Sequence, residues 1–217
     1  MSTASAAEKK GHNHQHDHKH DHKHDHKHDH DHAHGKPAQM PEGMTPEMME
    51  HMLEYQKLSM PGEHHKHLNY FVGHWKTTMK IYMAGPDMPP MESQGTSEVK
   101  WVLGNRYIEE NSQSSLMGAP YIGKGMVGYD NIRNLYVGSW CSNMDTQYLT
   151  FKGQRDPKTG NMNMYGEMDE PGLVTGRMCR YKTTIIDEDN YKFEIIDLHA
   201  GEDYRVVEIE YSRVKKS

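Results

Sequence analysis

From Trp75 onward, apolar and polar residues alternate one by one between turn signals, and this period of two admits little besides antiparallel β-structure. Trp75, Thr77, Met79, Ile81 and Met83 alternate with Lys76, Thr78, Lys80 and Tyr82. Successive side chains of a strand point to opposite faces, so the run reads as a strand with one buried face. Strand-like segments then recur at about 92–103, 105–115, 121–129, 134–142, 146–153, 161–168, 174–186, 190–198 and 204–213. Turn chemistry separates them, as in Gly85-Pro86-Asp87, Leu103-Gly104-Asn105, Met117-Gly118-Ala119-Pro120, Asp156-Pro157-Lys158-Thr159-Gly160 and Asp187-Glu188-Asp189-Asn190. Ten strands without interleaved helices predict an all-β meander. Closing it into an antiparallel barrel removes the exposed edges and leaves an interior that side chains fill or a ligand occupies.

The first forty residues follow the opposite logic. Every second residue from His12 to His34 is histidine: His12, His14, His16, His18, His20, His22, His24, His26, His28, His30, His32 and His34. Asp and Lys fill most of the gaps, so His-Asp-His-Lys repeats, and Ala33 is the one apolar residue. Such a segment buries nothing that offsets its ordering entropy, and it is expected to be a disordered tail over 1–40. Neutral imidazole is the commonest protein ligand for Zn, Ni and Cu(II). A flexible chain with His at alternate positions can offer several nitrogens to one ion in many registers. The expectation is therefore a promiscuous site for divalent transition metal (Zn, Ni or Cu), tightest for Cu(II) and lost in acid as protons compete. A passive repeat expansion, serving only as a solvated spacer, is the alternative.

Residues 41–62 form a Met-rich linker. Thr45-Pro46-Glu47 reads as a helix start, with Thr as N-cap, Pro at the first helical position and an acid in the first turn. Met48, Met52 and Tyr55 share one face, expected to pack against the barrel. Thioether binding of Cu(I) is the chemical alternative. A second short helix over Glu63 to Val72 should turn Leu68, Phe71 and Val72 inward. Its His64, His65 and His67 are expected on a solvated face. Residues 63–217 would then form the barrel.

Phe71-Val72-Gly73-His74-Trp75, at the start of the first strand, resembles the Gly-x-Trp opening of lipocalin-like (calycin) barrels. The resemblance implies that Trp75 plugs one barrel end beside Gly73 and that Arg213, on the last strand, packs over its ring. Pro61-Gly62-Glu63-His64-His65, Leu103-Gly104-Asn105-Arg106-Tyr107, Gly128-Tyr129-Asp130-Asn131 and Trp140 with Asn143-Met144 narrow the likeness to a bacterial lipocalin-like family of uncharacterised function, over about residues 45–215. It implies a barrel with a ligand cavity and no known reaction.

Charge and cysteine content bound the remaining function classes. Residues 1–40 hold six Lys and six acids, so the body carries the whole net charge of -6. An acidic body argues against a nucleic-acid binder. Cys141 and Cys179 are too few for a disulfide framework and read as ordinary buried thiols. No apolar run reaches the length of a membrane span, and Met1 to Lys10 lacks the apolar core of a signal peptide, so the chain reads as cytoplasmic. A processed secreted chain would look the same. The sequence sets no oligomeric state.

No nucleophile elbow, phosphate loop or metalloprotease motif is present. Gly123-Lys124-Gly125-Met126-Val127-Gly128 matches a dinucleotide fingerprint by letter, but it lies within a strand pattern and opens no helix, so its glycines are assigned to close packing. A polar interior cluster of Glu109, Asn111, Tyr129, Asn143 and Arg177 could orient a small polar-ended ligand, unless these residues face solvent. His199 is the one strand-end histidine that a haem-type site could use. The expectation is a non-catalytic binding protein, with metal on the tail, no cofactor in the barrel and a small molecule as its possible occupant. An enzyme acting on a ligand in the barrel and a purely structural barrel are the alternatives.

Overall fold

A computed structural model describes residues 43–172 and 176–215. The histidine run from His12 to His34 lies outside the described residues. Ten strands alternate with tight turns: β1 Gly73–Ile81, β2 Met91–Val102, β3 Tyr107–Leu116, β4 Ala119–Asp130, β5 Leu135–Ser142, β6 Leu149–Arg155, β7 Met162–Met168, β8 Arg177–Ile185, β9 Asn190–Asp197 and β10 Arg205–Arg213. Each strand pairs antiparallel with its sequence neighbours, and β1 closes the barrel against β10 with Trp75 opposite Arg213. The expected all-β antiparallel barrel of ten strands is thus the observed fold. No helix among the described residues is long and apolar enough to cross a membrane.

Turn geometry follows from local chemistry. Met117 and Gly118 both have positive φ (52° and 80°) and join Leu116 to Ala119 as a two-residue hairpin turn. Two positive φ values match the right-handed twist of the flanking strands. A non-glycine residue at such a position is strained, and Met117 accepts it at an exposed loop tip.

Each strand turns one face into the barrel, and part of the outer face is buried as well. Across β9 and β10, Glu194 and Glu208 lie directly opposite one another on the outer face. Like charges at that spacing repel, so each needs cations. Lys80 sits 3.1 Å from Glu208, while Lys192 and Arg205 each sit 3.3 Å from Glu194. This ladder lets an acidic body keep carboxylates on its sheet.

Among the described residues, two helices precede the barrel. In α1, Pro46–Leu58, Thr45 Oγ1 accepts a hydrogen bond from the Met48 N–H and Pro46 opens the helix. The N-cap expectation holds. The packing expectation does not: Met48, Met52, Leu53 and Tyr55 are 46–65 % exposed and no α1 residue is buried. The segment after α1 is tethered through its backbone instead. Arg106 Nε donates to Ser59 O, and Asn131 Nδ2 donates to Leu58 O and Met60 O. The following α2, Glu63–His67, continues into a 3₁₀ turn, Leu68–Phe71, whose Leu68 and Phe71 are buried as expected.

The histidine face of α2 differs from the solvated face the sequence suggested. His65 is 4 % exposed, and its Nδ1 accepts the Gly62 N–H at 3.0 Å. His64 stacks on Tyr129 at 4.2 Å. Burial pushes the His67 imidazole down to about 4, and Arg155 adds to the shift. The unfolded chain therefore binds the extra proton first, near pH 6.5. The stability linked to neutral His67 is present above that pH and is lost as pH falls towards about 4. Thermal melts of His67→Phe should fall less steeply with acid across this window than those of the unaltered chain; parallel slopes would contradict the assignment. The two thiols are free, with Cys179 buried and Cys141 half-buried.

Candidate functional site

The barrel has one plugged end. Connections β2–β3, β4–β5, β6–β7 and β8–β9 share that end with the two short helical turns. Tyr70 Oη there donates to the Asp187 and Asn190 carbonyls. Gly73 leads into Trp75, which is completely buried, and the indole Nε1 donates to Phe71 O at 2.8 Å. The Arg213 guanidinium lies 4.0 Å from the Trp75 ring centroid, and its Nη1 donates to Val72 O at 2.9 Å. Gly73 has φ 139°, and a Cβ there would lie 2.9 Å from Arg213 Nη1. Glycine is thus required both for its backbone angle and for the approach of the arginine. Above this plug, Tyr191 and Tyr211 stack at 4.2 Å, and Tyr191 meets Trp75 edge to face.

On that aromatic floor stands a cavity of about 220 Å³. Its walls are largely apolar, including Met79, Val127, Leu149, Phe151, Ile195 and Ile209. Trp140 also lines it, and the glycines of β4 make the room. A Cβ at Gly123 would fall 2.1 Å from Trp140 Cζ2, and one at Gly125 would fall 2.7 Å from Cε3. The Gly123-x-Gly125 pattern is therefore an indole seat, consistent with the close-packing reading. Gly123→Val is expected to force the Trp140 ring out of its seat, shifting its fluorescence and costing about 1–3 kcal/mol; an unchanged emission spectrum and melt would contradict this.

One acid projects into the chamber. Glu110 lies on β3 between Ile108 and Leu116 in the same alternation, and it lines the cavity. Ser97 Oγ donates to Glu110 Oε1 at 2.7 Å, and Tyr211 Oη donates to the same oxygen at 3.1 Å. Among the described residues, none donates to Oε2. Burial pushes the carboxyl pKa up, and the two hydrogen bonds oppose the shift. A group raised in the folded state stabilises fully below its unfolded value and loses that contribution as pH rises. Ionised Glu110 therefore costs stability towards neutral pH. Glu110→Gln should melt higher than the unaltered chain at about pH 7, with the gain vanishing near pH 4; a lower melt at pH 7 would contradict it.

Residues 60–213 match the family described as "Protein of unknown function (DUF1579)". The chain belongs to this family. Comparison with curated proteins returns no match. Solved structures similar to this DUF1579 barrel include the S-type phycobiliprotein lyase CPES from Guillardia theta, at 10 % identity and TM-score 0.48, covering 76 % of this chain and 98 % of that one. A redesigned β-barrel (16 % identity, TM-score 0.34, 68 % and 94 % covered) and a de novo designed fluorescence-activating β-barrel (16 %, 0.35, 67 % and 95 %) are also similar.

The DUF1579 barrel does not gather the five residues first considered for a ligand. Glu109 and Asn111 lie on the outer face of β3, where Glu109 is 3.6 Å from both Lys100 and Lys124 and accepts a bond from Asn111. Tyr129 packs under His64 near the plugged end. Asn143 stands in the β5–β6 connection at the opposite end, bonded to the Ile122 N–H and the Pro120 carbonyl. Arg177, also near that opposite end, pairs with Asp197 at 3.0 Å and Glu170 at 2.9 Å. His199 accepts the Met178 N–H from a turn and does not enter the barrel. The interior acid is Glu110, one residue from the position named. The signal was present: Ile108 and Leu116 set the inward phase of β3, and Glu110 shares it.

Proposed function

We propose that this chain is a non-catalytic binding protein whose barrel holds one small, mostly apolar molecule and whose histidine tail, 1–40, binds divalent transition metal. The observation that carries the barrel half is the apolar cavity of about 220 Å³ above the aromatic floor. Apolar side chains line the chamber on every strand side, and filling it with a ligand removes their surface from water at about 25 cal/mol per Å². Its polar groups are few and convergent, the pattern of a pocket that uses them to orient an occupant. The tail half rests on the alternation of twelve imidazoles and the chemistry of that ligand.

Titrating the full chain with the neutral fluorophore N-phenyl-1-naphthylamine tests the barrel half. The expected result is saturable enhancement at one probe per chain, with energy transfer from tryptophan, because Trp140 lines the cavity. Unsaturable or absent enhancement would contradict a ligand chamber.

A further inference from the structure

Among the described residues, Glu110 is the one carboxyl lining the cavity, and no Lys, Arg or His accompanies it. Among the described residues, the chamber's own side chains therefore supply a neutral acid or a negative charge and no positive one. Its Oε1 is occupied by Ser97 and Tyr211, while Oε2 receives no donor from the described residues. The faces near this carboxyl are aromatic: Tyr211 bonds to it and Tyr191 stacks on Tyr211.

The mouth of the barrel repeats this sign. Connections β1–β2, β3–β4, β5–β6, β7–β8 and β9–β10 surround the end opposite the Trp75 plug. Over the described residues 82–90, 117–118, 143–148, 169–172 and 198–204 they carry Asp87, Asp145, Asp169, Glu170, Glu202 and Asp203, and no Lys or Arg. Arginines of β8 pair with two of these acids, Arg177 with Glu170 and Arg180 with Asp203. The same rim exposes Met83, Met88, Met117 and Met144. It is thus both apolar and acidic.

Taking the barrel as a ligand chamber, the reading on which this step rests, we infer that its occupant is a hydrophobic amine whose ammonium group meets Glu110 Oε2, and that the chamber rejects fatty-acid-like anions. An alkyl or aryl body fits the apolar walls, and the ammonium finds a carboxylate in place of its lost water. A carboxylate ligand would instead bring a second negative charge beside Glu110 with no cation to accept it. The acidic rim concentrates cations at the mouth and repels anions. The ion pair requires Glu110 ionised, so amine binding releases its proton to solvent where the free acid is neutral. The titratable groups facing Glu110 are the phenols of Tyr211, Tyr191 and Tyr121, which stay neutral over the relevant pH range because burial raises all three.

The test displaces N-phenyl-1-naphthylamine from the full chain with n-octylamine, n-octanol and n-octanoate at about pH 7.5, and repeats it with Glu110→Gln. The amine should displace at concentrations on the order of tenfold or more below those of octanoate, with octanol between them. In Glu110→Gln the amine should lose its advantage over octanol. Octanoate binding as tightly as octylamine would overturn the charge selection while leaving the apolar chamber standing. An amine advantage that survives in Glu110→Gln would assign it to the rim and overturn the contact with Oε2. If the fluorophore and all three probes fail to bind, the chamber reading falls and this inference falls with it. Should Glu110→Gln fail to fold, Glu110→Met, whose side chain is of similar length and matches the apolar walls, carries the same comparison with the same expected outcomes.

Discussion

Trp75→Ala is expected to destabilise the barrel by about 3–5 kcal/mol, the usual cost of emptying a buried aromatic site. Three separate losses make the upper half of that range the expected value. The ring is completely buried, so its apolar surface leaves a void at the plug. The Phe71 carbonyl loses the indole donor at 2.8 Å. The Arg213 guanidinium loses the ring it covers at 4.0 Å, though it keeps its bond to Val72 O. Against a typical domain stability of about 5–15 kcal/mol, this is a large fraction. A chain of this size should lose roughly 10–15 °C in Tm. Trp75→Phe keeps a ring beneath Arg213 but removes the N–H and the volume of the second indole ring, so it should lose less than Trp75→Ala. Circular-dichroism melts of the three proteins check the order. A Trp75→Ala melt within a degree or two of the parent would show that the plug does not hold the barrel end.

The second large effect belongs to the tail. Calorimetric titration of the full chain with Zn, Ni or Cu(II) at about pH 7.5 should show several ions bound, and a chain beginning at Met40 should bind none tightly. Acid sharpens the prediction. At about pH 5.5, roughly one imidazole in ten is neutral, given an unperturbed value near 6.5. An ion held by three of them should then bind roughly a thousandfold more weakly. A shortened chain that still takes up one ion tightly would contradict this division of labour and place a structured site in the barrel. Among the described residues, no cluster of three or more His, Cys, Asp or Glu is arranged to hold a metal.

What could be read from the sequence, and what could not, follows from how strongly each residue type constrains its surroundings. The barrel was legible because alternation and turn chemistry agree along its length. Predicted segments such as 190–198 and 204–213 differ from β9 and β10 by a residue at most. The plug was legible because Gly73, Trp75 and Arg213 leave few alternatives once the first and last strands pair. The interior acid was missed because Tyr107 to Ser115 contains nine residues of which only Tyr107 and Ile108 are large and apolar, so either face could have been the inner one. The phase becomes clear only when Leu116 is counted with Ile108. The helix α1 was misjudged for the opposite reason. Its Met stripe has the spacing of a packed face, but its tether runs through backbone carbonyls at the C-terminal end, which no side-chain pattern encodes. The burial of His65 goes with the Gly62 N–H it caps, a local bond that the run of five polar residues, Glu63 to His67, does not announce.

Ligand binding by this protein requires that the barrel interior be a chamber for a small molecule. The most direct measurement compares N-phenyl-1-naphthylamine binding by the parent chain and by Leu149→Trp, in which an indole is placed in the cavity wall. Thermal melts of both proteins establish that each is folded. The account predicts one saturable site in the parent and a loss on the order of tenfold or more in the filled variant. Equal binding by the two folded proteins would contradict it and move the probe to the outside of the barrel.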